Sequence, residues 1–160
     1  MGLQQYRAKR NLKRSREPIR GEKPSRTRSI FVVQRHDASH LHYDFRLELK
    51  GVLLSWAVPK GPSRTAKVKR LAIQTEDHPL SYADFEGEIP EGNYGAGTVE
   101  IWDRGTFVAK DAETKADSEK RLRAGLKKGH LAVTLQGKKL KGDFDLIYLR
   151  RGKLWILVKR

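Results

Sequence analysis

Four of the five histidines fall between positions 36 and 78: His36, His40, His42 and His78. The segment His40-Leu41-His42-Tyr43-Asp44-Phe45-Arg46-Leu47-Glu48 alternates titratable and apolar side chains. In a strand, successive side chains point to opposite faces. His40, His42, Asp44, Arg46 and Glu48 then share one face, and Tyr43, Phe45 and Leu47 the other. Imidazole and carboxylate ligands suit Mn²⁺, Zn²⁺, Fe²⁺ or Co²⁺, with open positions left for water or substrate. His42 and Asp44, two residues apart, can converge on one ion, and His36 from the preceding loop can supply a third ligand. Arg46 beside them offers a planar, permanent cation for phosphate. His78 can stabilise charge or donate a proton to a leaving oxygen. The spacing is not that of a fixed ligand motif. The same residues also read as two satisfied barrel-wall histidines and an ordinary Asp44–Arg46 ion pair.

Neighbouring segments repeat the arrangement. Gln34 and His36 share a parity. From Arg70 to His78 the even positions are mostly polar, including Gln74 and Glu76, whereas Leu71 and Ile73 are apolar. Three strands can thus aim polar groups at one shared concavity, and a barrel mouth is a common place for such a site. The stretch Pro90-Glu91-Gly92-Asn93-Tyr94-Gly95-Ala96-Gly97 could bring backbone close to a phosphate. It matches neither GxGxxG nor a P-loop, and a tight loop before a strand is the favoured reading. Trp56, Trp102 and Trp155 sit in strand patterns and are read as core. His130 lies far from the cluster and is read as structural. No Ser occupies a nucleophile-elbow pattern.

These side chains need a rigid frame, and the pattern supplies strands. Apolar or alternating runs occur at 30–34, 43–49, 53–58, 68–76, 98–103, 106–109, 131–136, 144–149 and 154–158. Turn signals separate them, among them Lys50-Gly51, Lys60-Gly61-Pro62, Arg104-Gly105, Lys141-Gly142 and Arg151-Gly152. One helix is predicted over 117–128, ended by Gly129. The expected fold is mainly β: a closed or nearly closed β-barrel with one or two peripheral helices and a basic N-terminal arm. The arm is residues 1–28 and the barrel domain residues 29–160.

Composition narrows the partners. The 160 residues hold 34 Lys/Arg against 19 Asp/Glu, a net charge of +15. The arm alone carries ten Lys/Arg and two Glu. Such a surplus is the footprint of a polyanion-binding protein, with nucleic acid the leading candidate. A basic arm of this kind is loose or ordered only by contact, and can draw affinity from phosphates. The absence of Cys excludes disulfides, thiolate metal sites and cysteine nucleophiles. No run approaches the ~18 apolar residues of a membrane span, and no signal-peptide pattern opens the chain. A cytoplasmic protein is expected.

Several motifs, in order, resemble the 3′-phosphoesterase domain of bacterial DNA ligase D. They are the run from Phe31 to Glu48, Ser55-Trp56-Ala57-Val58-Pro59-Lys60-Gly61-Pro62, the run from Glu76 to Gly87, the run from Ile89 to Thr98, and Trp102-Asp103-Arg104-Gly105. The resemblance extends over roughly residues 6–158. It implies a β-barrel enzyme of end-joining repair that removes a 3′-terminal ribonucleoside and then the 3′-phosphate from a primer strand, with Mn²⁺ in support (Zn²⁺, Co²⁺ or another divalent ion as substitutes). It implies His36, His42 and Asp44 as metal ligands. Arg46 and His78 would engage the phosphate, with Tyr82, Arg70 and Lys60 at positions associated with the phosphate or active site. Gln34 and Glu76 match positions needed to remove the ribonucleoside. In the arm, Tyr6, Lys9, Arg10, Glu17 and Pro18 stand at matching places, but Asn11 replaces the family's usual Asp. That loss is expected to weaken ribonucleoside removal more than phosphate removal. The implied partners are a DNA or RNA/DNA primer–template 3′ end and, for a free-standing version, a separate ligase or polymerase of end joining. The competing class is a basic nucleic-acid end-binding module that recruits a ligase without chemistry. The His36/His42/Asp44 set speaks against it, because binding alone does not need those residues.

Overall fold

The computed structural model describes residues 3–9 and 27–160. A short helix α1 (Gln4–Ala8) precedes strands β1 (Ser29–Asp37), β2 (Leu41–Leu49), β3 (Val52–Val58) and β4 (Lys69–Pro79). A 3₁₀ turn (Leu80–Asp84) leads to β5 (Gly87–Ile89) and the long β6 (Gly97–Ala109). Helix α2 (Lys115–Lys128) and strands β7 (His130–Gly137), β8 (Lys141–Tyr148) and β9 (Leu154–Lys159) complete the order. The strands pair antiparallel in the order β1-β2-β3-β4-β9-β8-β7-β6, and β1 pairs with β6 to close an eight-stranded barrel. β5 adds to the edge of β6. Closure removes the exposed edges that an open sheet of this size would carry. The expected barrel is thus the fold.

All eight barrel strands contribute to one apolar cluster, including Phe31, Phe45, Trp56, Ala72, Phe107, Val133, Phe144 and Leu157. This is the barrel interior. Trp56 and Trp155 lie in it and Trp102 packs against it, as core residues. Leu122 of α2 joins the same cluster, so the helix stoppers the barrel. The helix is set by local chemistry. The Thr114 side chain accepts from the Asp117 N–H at its start, and Gly129 ends it in the left-handed conformation at φ 81°.

Alternation sends the opposite face of β1–β3 outward. On β1 that face carries Val32, Gln34 and His36, which lie across from Arg46, Asp44 and His42 of β2. The polar groups therefore gather on the outer wall of the barrel, not in its mouth as the sequence pattern suggested. The reason is packing: the interior is filled by aromatic and aliphatic side chains and has no room for a charged cluster. A second apolar cluster of Tyr6, Val32, Leu53, Leu80, Tyr82 and Ala83 covers part of this outer wall.

Three local departures from the sequence reading have physical causes. The Arg104-Gly105 signal makes no turn; 98–103 and 106–109 are one strand, bulged where the register with β1 shifts between Val33 and Gln34. Gly105 is there because β6 and β7 approach closely: a Cβ would lie 2.0 Å from the Gln136 carbonyl oxygen. Gly105→Ala is expected to destabilise the fold by about 2–3 kcal/mol, the scale of overpacking, read as a lower urea midpoint at unchanged slope. The Lys141-Gly142 pair likewise lies inside a strand, opening β8. Finally, β4 runs on to Pro79 and carries a bulge, since Ser55 pairs with Thr75 but Leu53 with His78.

Residues 3–9 of the arm are ordered by contact. Tyr6 is fully buried, with its ring 4.9 Å from that of His78 and 6.0 Å from that of Tyr82. Arg10, Asn11 and Glu17 lie outside the described residues.

Candidate active site

β1 and β2 present His36 and His42 as a cross-strand pair, with Asp44 on the same face. His36 Nδ1 lies 3.4 Å from one Asp44 carboxylate oxygen, and His42 Nε2 lies 3.2 Å from the other. The three ligand atoms fall within 4.8 Å of one another. The outer ring nitrogens are anchored: His36 Nε2 donates to the Gly95 carbonyl at 2.6 Å, and His42 Nδ1 to the His40 carbonyl at 3.0 Å. A carbonyl can only accept, so those two nitrogens carry the protons. The lone pairs of His36 Nδ1 and His42 Nε2 then face the carboxylate. Two imidazole lone pairs and an anion turned toward one point form a donor set that suits a divalent transition ion, with backbone carbonyls fixing the tautomers.

The charges support this reading. Burial alone would raise the Asp44 carboxyl, but the Arg46 guanidinium, with the His36 and His42 rings beside it, holds it well below the usual carboxylate range. Burial alone would lower the His42 imidazole, but Asp44 outweighs it and raises the group above its ordinary value. A proton and a metal ion compete for that lone pair.

Arg46 is buried and held on four sides. Its Nε donates to Gln34 Oε1 at 2.7 Å and its Nη1 to Ser55 Oγ at 2.8 Å. Its Nη2 lies 3.4 Å from Asp44, and its guanidinium stacks 4.9 Å from the Tyr82 ring centroid. Gln34 in turn donates to the carbonyls of Tyr82 and Phe85. Gln34 therefore ties the 3₁₀ turn to β1 and aims Arg46, and it does not line the groove. His78 is anchored through Nδ1 to the Glu76 carbonyl at 2.9 Å. The groove, about 340 Å³, is lined by His36, His42, Asp44, Arg46, Glu76, His78 and Tyr82.

The bulge in β4 explains which residues of that strand reach the groove. Thr75 and Glu76 both line it, and His78 follows on the same side. Before the bulge, Arg70 is paired with Leu157 on the face that carries Ala72, so it does not share a face with Glu76 and His78. Even-numbered parity fails there because a bulge inserts one residue. Lys60 is exposed on the turn after β3 and does not line the groove either. Glu48 also leaves the cluster, whereas His40 stays at the edge of the groove. Glu48 is buried against Lys115 at 2.6 Å, and His40 lies exposed in the loop before β2. His130 pairs with Asp145 at 2.7 Å on the other side of the barrel, a structural role.

The sequence reading names Lys9 at a place matching the family but gives it no role in the site, which it reaches from a distant segment. Lys9 reaches Glu76 at 3.0 Å and stacks 4.7 Å from the Tyr94 ring centroid. No local pattern announces a contact between residues so far apart. The glycine-rich stretch did carry a signal, because Gly95 (φ 77°) supplies the carbonyl that orients His36 and a Cβ there would come within 3.3 Å of that ring.

A barrel bearing two histidines, a carboxylate and a caged arginine on its outer wall defines a class that comparison makes specific. The family described as the DNA ligase D 3′-phosphoesterase domain matches residues 34–148, and the chain belongs to it. The chain is 52% identical, over 98% of its length, to the multifunctional non-homologous end joining protein LigD of Pseudomonas aeruginosa. It is 45% identical, over 96% of its length, to the LigD repair protein of Mycobacterium tuberculosis and 41% identical to that of Mycolicibacterium smegmatis. The chain spans about a fifth of the length of these relatives (18%, 19% and 20%).

Proposed function

We propose that this chain is a metal-dependent phosphoesterase of end-joining repair that acts on the 3′ end of a primer strand, removing a terminal ribonucleoside and the 3′-phosphate to leave a 3′-OH. The observation that carries the reading is the convergence of His36 Nδ1, His42 Nε2 and the Asp44 carboxylate, tautomers fixed, beside a buried Arg46. Family membership supports the reaction class, and the LigD relatives support the repair setting. A divalent ion held by His36, His42 and Asp44, with Mn²⁺ the proposed species, would polarise a phosphoryl oxygen and lower the pKa of a bound water.

The chain's own groups supply the rest. Arg46 meets the negative charge that grows on the phosphoryl oxygens, and its cage of Gln34, Ser55, Asp44 and Tyr82 means that it need not reorganise as the charge develops. His78, oriented through Nδ1, protonates the leaving oxygen. Glu76 faces the same groove, where a terminal ribose would lie, and its pairing with Lys9 links the arm to that subsite. Among the described residues no helix is long and apolar enough to cross a membrane, and a cytoplasmic setting fits the repair role.

The test uses a 5′-labelled primer–template in two forms, one ending in a single 3′-ribonucleotide and one in a 3′-phosphate, each with Mn²⁺ and with chelator. Conversion of both to a 3′-OH, abolished by chelator, is expected. Conversion of the 3′-phosphate alone would assign the narrowing to Asn11. Tight binding without any product would replace the enzyme by an end-binding module.

A further inference from the structure

The basic surplus is not confined to the arm. On α2, Lys120, Arg123 and Lys127 follow a spacing of three and four, which places them on one helical face. Leu122 and Gly125 are buried on the opposite side. With Lys50 they rim a cleft of about 410 Å³ whose floor includes Ala116 and Ala124. Other cations of this region are committed: Lys115 to Glu48, and Arg121 to Asp117. Among the described residues Lys120, Arg123 and Lys127 have no carboxylate partner, and all three are exposed. Three uncompensated cations around two alanines let a charged ridge approach the helix closely.

The position of the cleft relates it to the groove. Glu48 holds Lys115, and the Lys50 N–H donates to Glu119 at 2.8 Å, so α2 is fastened to the far end of β2. Asp44 and Lys50 are six residues apart along β2 and its turn, about 20 Å at the strand rise. That is roughly the rise of six base pairs at 3.4 Å each. We propose that this α2 cleft is a second, non-catalytic nucleic-acid interface. It grips the sugar–phosphate backbone of the duplex about six base pairs behind the 3′ end that lies in the groove. The inference rests on the proposed function for the position of the end, and on charge complementarity for the choice of occupant.

The test compares the parent with a K120A/R123A/K127A variant on hairpins ending in a 3′-phosphate, with stems of about 4 and about 14 base pairs, in chelator so that no turnover occurs. All three sites are exposed and Ala favours helix, so an unchanged melt is expected. On the long stem the variant is expected to bind roughly ten- to a hundredfold more weakly at 0.1 M salt. Its log K against log salt slope should fall by about 2.7, or 0.9 for each lost contact. On the short stem the two proteins should bind alike, and turnover of a 3′-phosphorylated dinucleotide with Mn²⁺ should be unchanged. An unaltered affinity and slope on the long stem would overturn the interface. If the parent with Mn²⁺ turned over neither hairpin, with the long-stem loss still seen, the catalytic reading would fall and the interface would stand.

Discussion

A His42→Ala variant is expected to lose metal-dependent 3′-end hydrolysis by about three orders of magnitude, equivalent to ~4 kcal/mol of barrier at 1.36 kcal/mol per decade. In the proposed metal site His42 supplies one of the three ligand atoms found among the described residues, and its Nε2 is the atom turned toward Asp44. The ring is also the most accessible of the three, with its side chain 23% exposed against 10% for His36 and 9% for Asp44. Among the described residues its one hydrogen bond beyond the cluster goes to the His40 carbonyl. Its removal should therefore leave the melting temperature within a few degrees of the parent. Single-turnover rates on the 3′-phosphate primer, with titrated Mn²⁺, and a thermal melt of the same sample check both halves. A variant that keeps full Mn²⁺-dependent activity would remove His42 from the metal site.

Arg46→Lys should be nearly as damaging, and for a different reason. Lysine keeps the charge but has no planar fork. The parent guanidinium serves Gln34, Ser55 and Asp44 at once while lying against the Tyr82 ring. An ammonium cannot span those partners, so Gln34 Oε1 or Ser55 Oγ is left in a buried place with no donor, at about 1–3 kcal/mol each. The expected outcome is a rate loss of at least ~100-fold on both substrates together with a fall in stability of about 2–3 kcal/mol. The pairing of the two effects sets it apart from His42→Ala, whose loss is in rate alone. Steady-state kinetics and urea unfolding on one preparation read both. A lysine variant with parental stability and rate would mean that the cage around Arg46 positions nothing.

Much of this site was legible because a strand is a simple geometric code. Between His40 and Glu48 every second residue is polar and every other apolar, and two cross-strand neighbours, Gln34 and His36, obey the same rule. No knowledge of the tertiary structure is needed to put His36, His42, Asp44 and Arg46 together. The code fails where a residue is inserted. The β4 bulge separates Arg70 from Glu76 and His78, and nothing in the run Arg70–His78 marks it, because a bulge is decided by how β3 and β4 pack. Turn chemistry failed in the same way at Arg104-Gly105, where glycine serves a close strand contact and not a bend. The direction of the polar face, outward and not into the mouth, depends on which face fills the closed barrel. The reach of Lys9 to Glu76 depends on how α1 docks. Both are properties of the assembled chain.

The wall that bears the groove is a single sheet, apolar on one side and reactive on the other. Phe45 and Asp44 are adjacent in sequence yet face a sealed interior and a solvent-facing groove. The lineage can therefore revise the two sides by separate substitutions. Interior replacements such as Leu47→Met would alter heat tolerance, and outer ones would retune which strand end is accepted, with little interference between them. A scaffold arranged this way can drift in thermal adaptation from host to host while its chemistry is held constant, and it offers an engineer two nearly independent sets of positions.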